Sequence, residues 1–451
     1  MSTLLKKGLV LMVVVFLQNS MYAQQVLDGY IKTAIEENQS LKQKQFQLEK
    51  AMYGLKEAKS LFLPTVSLQA SYVKSAGGRT IDFPIGDLLN PVYSTLNQLT
   101  ESSAFPQMEN AAIQLNPDNF YDAKFRTVLP LVNAEIWYNR EIKKEMVSQQ
   151  QAAVNVYKRQ LVKDVKEAYY HYYQASKEVT IYENAIKLVN ENIRVNESLY
   201  RNGVKNSTAL TRAQAEKEKM QTLLTNAENN RSNAAMYFNF LLNKPLDAGI
   251  ELDTESIADI ENINSNFTSD VSRREELQQV QSARNIYTLN RNLQQSHLLP
   301  KLNTFLDVGS QGFDWQMNDK SRYYMWGVNL QWDLFASNQY KYKTQQAGAD
   351  MKATAMLQQE TEKLLLMQLQ NAYNNFNTAF ASCRSAQQQL GLAEKYYKDQ
   401  LKMYKEGQLL YIELVDAQNQ LTSAELQLSV AIANTRIAAA EIEKCTAAYS
   451  I

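Results

Sequence analysis

The sequence predicts a mainly α-helical chain with a small membrane β part: duplicated long coiled-coil helical hairpins and four β-strands per chain set between them. Three observations carry this. An apolar heptad is sustained far beyond the length of an ordinary globular helix. The pattern recurs 204 residues on, Leu161 matching Leu365. Alternating segments follow a Leu-Pro step at equivalent points of the two halves, Leu63-Pro64 and Leu299-Pro300.

The chain opens with Lys6 and Lys7 ahead of an apolar run from Leu9 to Leu17, too short to span a bilayer, so residues 1–23 read as an export signal cut after Ala23. No cysteine follows the cut, which argues against a lipid anchor there. No later apolar stretch reaches about 18 residues, so any spanning part is expected to be β. The 451 residues carry 47 basic and 47 acidic side chains, without the basic footprint of a nucleic-acid partner. With only His171, His297, Cys383 and Cys445 available, neither a metal site nor a cofactor is expected.

The first outgoing helix is expected from about Asn133 to Tyr200. Its apolar register runs Leu161, Val165, Ala168, Tyr172, Ala175 and Val179, through Asn196 to Tyr200. The second, from about Ala336 to Tyr404, matches it with Leu365, Leu369, Ala372, Phe376, Ala379 and Cys383, through Gln400 to Tyr404. At 1.5 Å per residue, about 70 residues give a helix on the order of 100 Å long, which implies a rod. Gly203 and Gly407 then provide the positive φ at which a helix stops, and the heptad resumes in returning arms from Leu210 and from Leu414. A straight hairpin separates Cys383 from Cys445 by about 20 Å, too far for a disulfide, so both read as seam residues.

After Pro64, the residues Val66, Leu68, Ala70 and Tyr72 share one face, and after Pro300 so do Leu302, Thr304, Leu306 and Val308. A shorter strand carries Phe125, Thr127 and Leu129. The clearest carries Tyr324, Trp326, Val328, Leu330, Trp332 and Leu334 on a face expected to meet lipid. Four strands cannot close a barrel and open edges are not tolerated in lipid, so several copies must contribute. Two copies give eight strands and a filled interior, whereas three give twelve and a channel.

Two segments break the symmetry. The loop from Lys74 to about Asp122 is about 33 residues longer than its counterpart and rich in apolar residues, as expected of a functional or self-folded loop. It reads as a cap or docking surface at the outer mouth, or as local packing against the same loop of neighbouring subunits. The polar segment 244–270 links the repeats, which span residues 24–243 and 271–451.

Two stretches are the most specific. Tyr200-Arg201-Asn202-Gly203-Val204 precedes Ala213-Gln214, and Tyr404-Lys405-Glu406-Gly407 precedes Leu414-Val415-Asp416-Ala417-Gln418. On these the chain resembles the TolC family of outer-membrane efflux proteins over essentially its whole mature length. The resemblance implies a homotrimeric α/β barrel channel-tunnel in outer-membrane lipid with a long periplasmic extension, and it places 244–270 in an equatorial collar. It implies that the tips, Gly203, Val204, Gly407 and Gln408, face a periplasmic adaptor that leads to an inner-membrane pump. It also implies a tunnel constriction at Glu413 and Asp416, with Tyr404 beside them; threefold symmetry would make two stacked rings of three acids, which attract cations. Leu409 stands where the family's gate has an arginine, and Ala209 where its acidic partner is expected, so the lock of a closed tip must rest on other contacts.

No nucleophile motif or phosphate loop is present, so an enzyme is not expected. A periplasmic coiled-coil scaffold or adaptor without a pore is the competing reading; it explains the helices but not the paired strands.

Overall fold

Helices dominate the computed structural model, which describes residues 26–203, 206–261, 263 and 270–449. The expected export signal, Val204 and part of the 244–270 linker lie outside the described residues. In chain order the elements are α1 (26–37), α2 (Gln39–Ser60), β1 (Thr65–Val73), β2 (Thr80–Phe83), α3 (Ile85–Leu99), β3 (Ala111–Gln114), β4 (Phe120–Val132), α4 (Ala134–Arg201) and α5 (Ser207–Leu241). There follow α6 (Thr254–Ala258), α7 (Glu275–Ser296), β5 (Lys301–Phe313), β6 (Arg322–Gln331), α8 (Gln339–Lys405) and α9 (Tyr411–Cys445). The duplication is visible in the lengths: α4 and α8 have 68 and 67 residues, α5 and α9 have 35 each, and α2 and α7 have 22 each.

Two compact units result, each drawing on both repeats; one comprises Gly54–Lys143 with Thr288–Gly348, the other the rest of the described chain. The first holds an antiparallel sheet in the order β1-β4-β5-β6, with β1 and β6 at its edges, and a separate two-stranded antiparallel ribbon of β2 and β3 with α3 in the connection between them. The register, Leu68↔Phe125↔Val308↔Tyr324 and Val66↔Thr127↔Leu306↔Trp326, collects the apolar residues on one exposed face. A bulge at Leu131 shifts the β4–β5 register between Pro130 and Val132, and Pro130 stands beyond Val128, the last β4 residue that β1 pairs, so its missing N–H costs no bond to β1.

The opposite face is polar. The Arg126 guanidinium donates two hydrogen bonds to the enclosed Asp307 carboxylate, at 2.8 and 2.7 Å. Asp122 accepts from Lys124 at 2.6 Å and from the Tyr323 hydroxyl at 2.8 Å. Gly327 admits the Phe305 ring, which would lie 2.7 Å from a Cβ there, and Arg126 sits over that ring at 5.4 Å.

The expectation for the last strand needs correction. The β6 ladder ends at Gln331, paired with Lys301, so Trp332 and Leu334 lie beyond it, although both are exposed. The reason lies in the partner: Pro300 precedes Lys301 and offers no N–H with which to continue. The Trp332 indole N–H instead donates to the Leu298 carbonyl at 3.0 Å.

In the helical unit, of the seam residues expected of α8, Leu365, Leu369, Ala372, Phe376, Cys383, Ala386, Tyr397 and Tyr404 are buried, whereas Ala379, Leu390, Ala393 and Gln400 are half-buried. Along α4 the buried stripe is wider, adding Val162, Tyr169, Tyr173, Ala185 and Asn192, because this helix packs against more than one partner. Cys383 and Cys445 are free and buried, as the seam reading requires. Asn38 separates α1 from α2: its side-chain oxygen accepts from Leu41 N–H at 3.0 Å, and its amide donates to the Leu241 carbonyl at the end of α5 at 2.9 Å. The described part of the linker is pinned to this unit. Asp253 caps α6 through the Ser256 N–H, and the Arg436 guanidinium of α9 collects the carbonyls of Ser256, Ile257 and Asp259.

Candidate functional site

The helix turns form for a local reason. Gly407 has φ +77, its N–H donates to the Tyr404 carbonyl, and the Gln408 N–H reaches back to Met403 at 3.0 Å, the pair of bonds that closes a helix C-terminus. Gly203 has φ +69 and its N–H donates to the Tyr200 carbonyl at 3.0 Å. Among the described residues nothing lies within 4 Å of a Cβ at either glycine, so the backbone conformation and not crowding selects the residue. Gly203, Gly407 and Gln408 are all exposed.

Behind the turns a shared core joins both hairpins: Ala213, Tyr397, Tyr404, Tyr411, Leu414 and Leu421, with Leu409 and Ala209 packed against it. Apolar contact therefore occupies the two positions where an arginine and an acid were anticipated. Polar groups are threaded through this core. The Tyr404 hydroxyl donates to the Asn196 side-chain oxygen, the Asn196 amide donates to the Asn192 carbonyl at 2.8 Å, and the Asn192 amide donates to Gln418 at 2.8 Å. Burial pushes the phenols of Tyr397, Tyr404 and Tyr411 above the usual tyrosine range, so they stay protonated donors.

Glu413 and Asp416 stand exposed on the first turns of α9, three residues apart and so on one helix face. Glu413 is also the third residue of the helix, where its carboxylate accepts the Leu410 N–H at 3.1 Å; Asp416 accepts from the Gln420 amide at 2.7 Å. Tyr404 is not brought to that surface. It is fully enclosed between α4 and α8, whereas Tyr200, its counterpart in the first repeat, is half exposed. Sequence reasoning missed Asn192 and named Gln418 only as part of the tip motif; a polar residue at the Asn196 heptad position was the available signal.

Comparison with known proteins decides the class. The family model for outer membrane efflux proteins matches residues 30–243 and 271–448, most of the chain. The chain belongs to the outer membrane efflux protein family. Its fold is that of the CusC channel (TM-score 0.76, 12% identity, covering 94% of this chain and 92% of that one) and of the Campylobacter jejuni CmeC outer membrane channel (0.74, 13%, 93% and 85%). VceC from Vibrio cholerae matches equally well (0.73, 13%, 94% and 98%). No curated protein sequence matches. Membership makes the chain an efflux channel of the outer membrane and gives no support to the poreless periplasmic scaffold. In this efflux protein the exposed residues Tyr324, Trp326, Val328 and Leu330 share one apolar face of the sheet with their partners on β5.

Proposed function

We propose that three copies of this efflux protein close one twelve-stranded barrel and one helical tunnel, forming a passive duct from the periplasm to the exterior. The observation that carries the reading is the four-stranded sheet with an exposed apolar face and two open edges, β1 and β6. Unpaired edge amides are not stable in hydrocarbon, so β6 of one copy must pair with β1 of the next. Twelve strands leave room for a water-filled lumen, and the polar face with Asp122, Lys124, Arg126 and Asp307 suits one.

The turns at Gly203 and Gly407, with Gln408, face a periplasmic adaptor, and through it an inner-membrane pump supplies the energy. Glu413 and Asp416 line the constriction as two rings of three acids, a filter that favours cations. Tyr404 serves this gate from inside the hairpin core, as a tie between α4 and α8.

The test is native mass spectrometry of the purified protein followed by single-channel recording in planar bilayers. A detergent-stable trimer with small, cation-selective currents that multivalent cations block is the expected result. A monomer that never inserts would remove the duct reading.

A further inference from the structure

Between β1 and β4 the chain builds a small unit of its own. β2 pairs with β3 from Thr80↔Gln114 to Phe83↔Ala111, and α3 leaves directly from β2. One side of α3 closes on the segment that follows it. Asn97 clasps Phe105, accepting its N–H at 3.0 Å and donating to its carbonyl at 2.7 Å, and Asn90, two turns earlier, clasps Met108 in the same way.

Among the described residues, nothing covers the other side of α3. Leu88, Val92, Thr95 and Leu99 follow one another at helical spacing, and all are exposed, Leu88 at 68% and Leu99 at 75%. On the ribbon, Ile81 lies opposite Ile113 with Phe83 on the same face, and these too are exposed. A two-stranded ribbon is marginal by itself, and a lone subunit rarely leaves this much apolar surface open. The acids stay off it: Asp82 takes the opposite face of the ribbon, and Asp87 accepts from the Asn110 amide at 3.0 Å.

Position and charge identify the occupant. The unit emerges from the end of β1 remote from α2, and β1 is the edge strand that another copy must pair. Resting on the trimer reading above, three such units ring the outer mouth. An anionic lipid surface recruits basic segments, whereas residues 74–118 hold Lys74 and Arg79 against Asp82, Asp87, Glu101, Glu109 and Asp118. We infer that the Leu88–Val92–Leu99 stripe packs against the same unit of the neighbouring copies in one trimer, making a three-helix cap over the outer end of the barrel.

Cysteine cross-linking tests this in the full-length protein with Cys383 and Cys445 changed to alanine. Leu88→Cys, Val92→Cys and Leu99→Cys should each give covalent dimers when the purified trimer is oxidised, and Asp82→Cys should not. An intact trimer with no link at any stripe position, or with links as strong at Asp82→Cys, overturns the cap. Native mass spectrometry of the same samples reads the trimer separately, so its absence would defeat the oligomeric reading and not only the cap. A Thr95→Cys reporter adds a second check: combined with Leu88→Asp and Leu99→Asp it should lose most of its cross-linking while the trimer persists, and undiminished linking counts against the stripe.

Discussion

The hydroxyl of Tyr404 on α8 donates to the side-chain oxygen of Asn196 on α4, and both groups are enclosed where the two hairpins meet. Through Asn196 and Asn192 the bond continues to Gln418 on α9, so three helices share one buried polar chain. Parting these helices at the tip would strand its donors and acceptors, so the buried polar chain resists their separation.

Tyr404→Phe removes the donor and leaves the Asn196 oxygen unmet, at a cost of about 1–3 kcal/mol. Proteolysis at the tips should speed up and the resting conductance should rise. Adding Asn196→Leu, which removes the stranded acceptor, should recover part of the loss. If Tyr404→Phe cleaves and conducts like wild type, the bond does not hold the tip closed.

How much of this was legible depended on what sets each feature. The seam from Leu365 to Tyr404 could be read directly because a heptad fixes which side chains meet a partner helix. The end of β6 could not, since alternation continues through Trp332 and Leu334, and the ladder stops because Pro300 on the neighbouring strand cannot extend it. α3 was hidden by Pro84 and Pro91, which punctuate the sequence like a loop, and its order comes from the Asn90 and Asn97 clasps. The pair Glu413 and Asp416 was visible as one helix face. The capping bond of Glu413 was not, because the residue it caps is Leu410, a poor N-cap by type.

That capping bond shapes the test of the acidic constriction. Glu413→Ala would remove a charge and a helix cap together, and loss of a cap costs about 1 kcal/mol. Glu413→Gln with Asp416→Asn keeps an oxygen at each position for Leu410 and Gln420. The double variant should fold and assemble normally, yet lose cation selectivity and block by multivalent cations in planar bilayers. Unchanged selectivity would place the constriction elsewhere.

Gly407 and Gly203 have positive φ and open space around a Cβ position, so an alanine there meets backbone strain alone. The expected cost is about 1–2 kcal/mol for Gly407→Ala. Gly407→Asn should cost less, because asparagine tolerates the left-handed region. Thermal melts of the two variants check the order; an alanine variant as stable as wild type would mean that the turn relaxes to another conformation.

Glu425, on α9, has its carboxyl raised above the ordinary glutamate range, chiefly by burial and further by the like charge of Glu394 on α8. A carboxyl raised in the fold binds its proton more tightly there than in the unfolded chain. Its favourable contribution is therefore complete below the unfolded value, near pH 4.3, and is lost as pH rises through the folded value. Once ionised, Glu425 works against the hairpin. Glu425→Gln should accordingly raise the melting temperature at about pH 8, with the gain shrinking towards about pH 4. Melting wild type and variant across that range decides the matter: a gain independent of pH would mean that the glutamine stabilises by packing and that Glu425 carries no ionisation penalty.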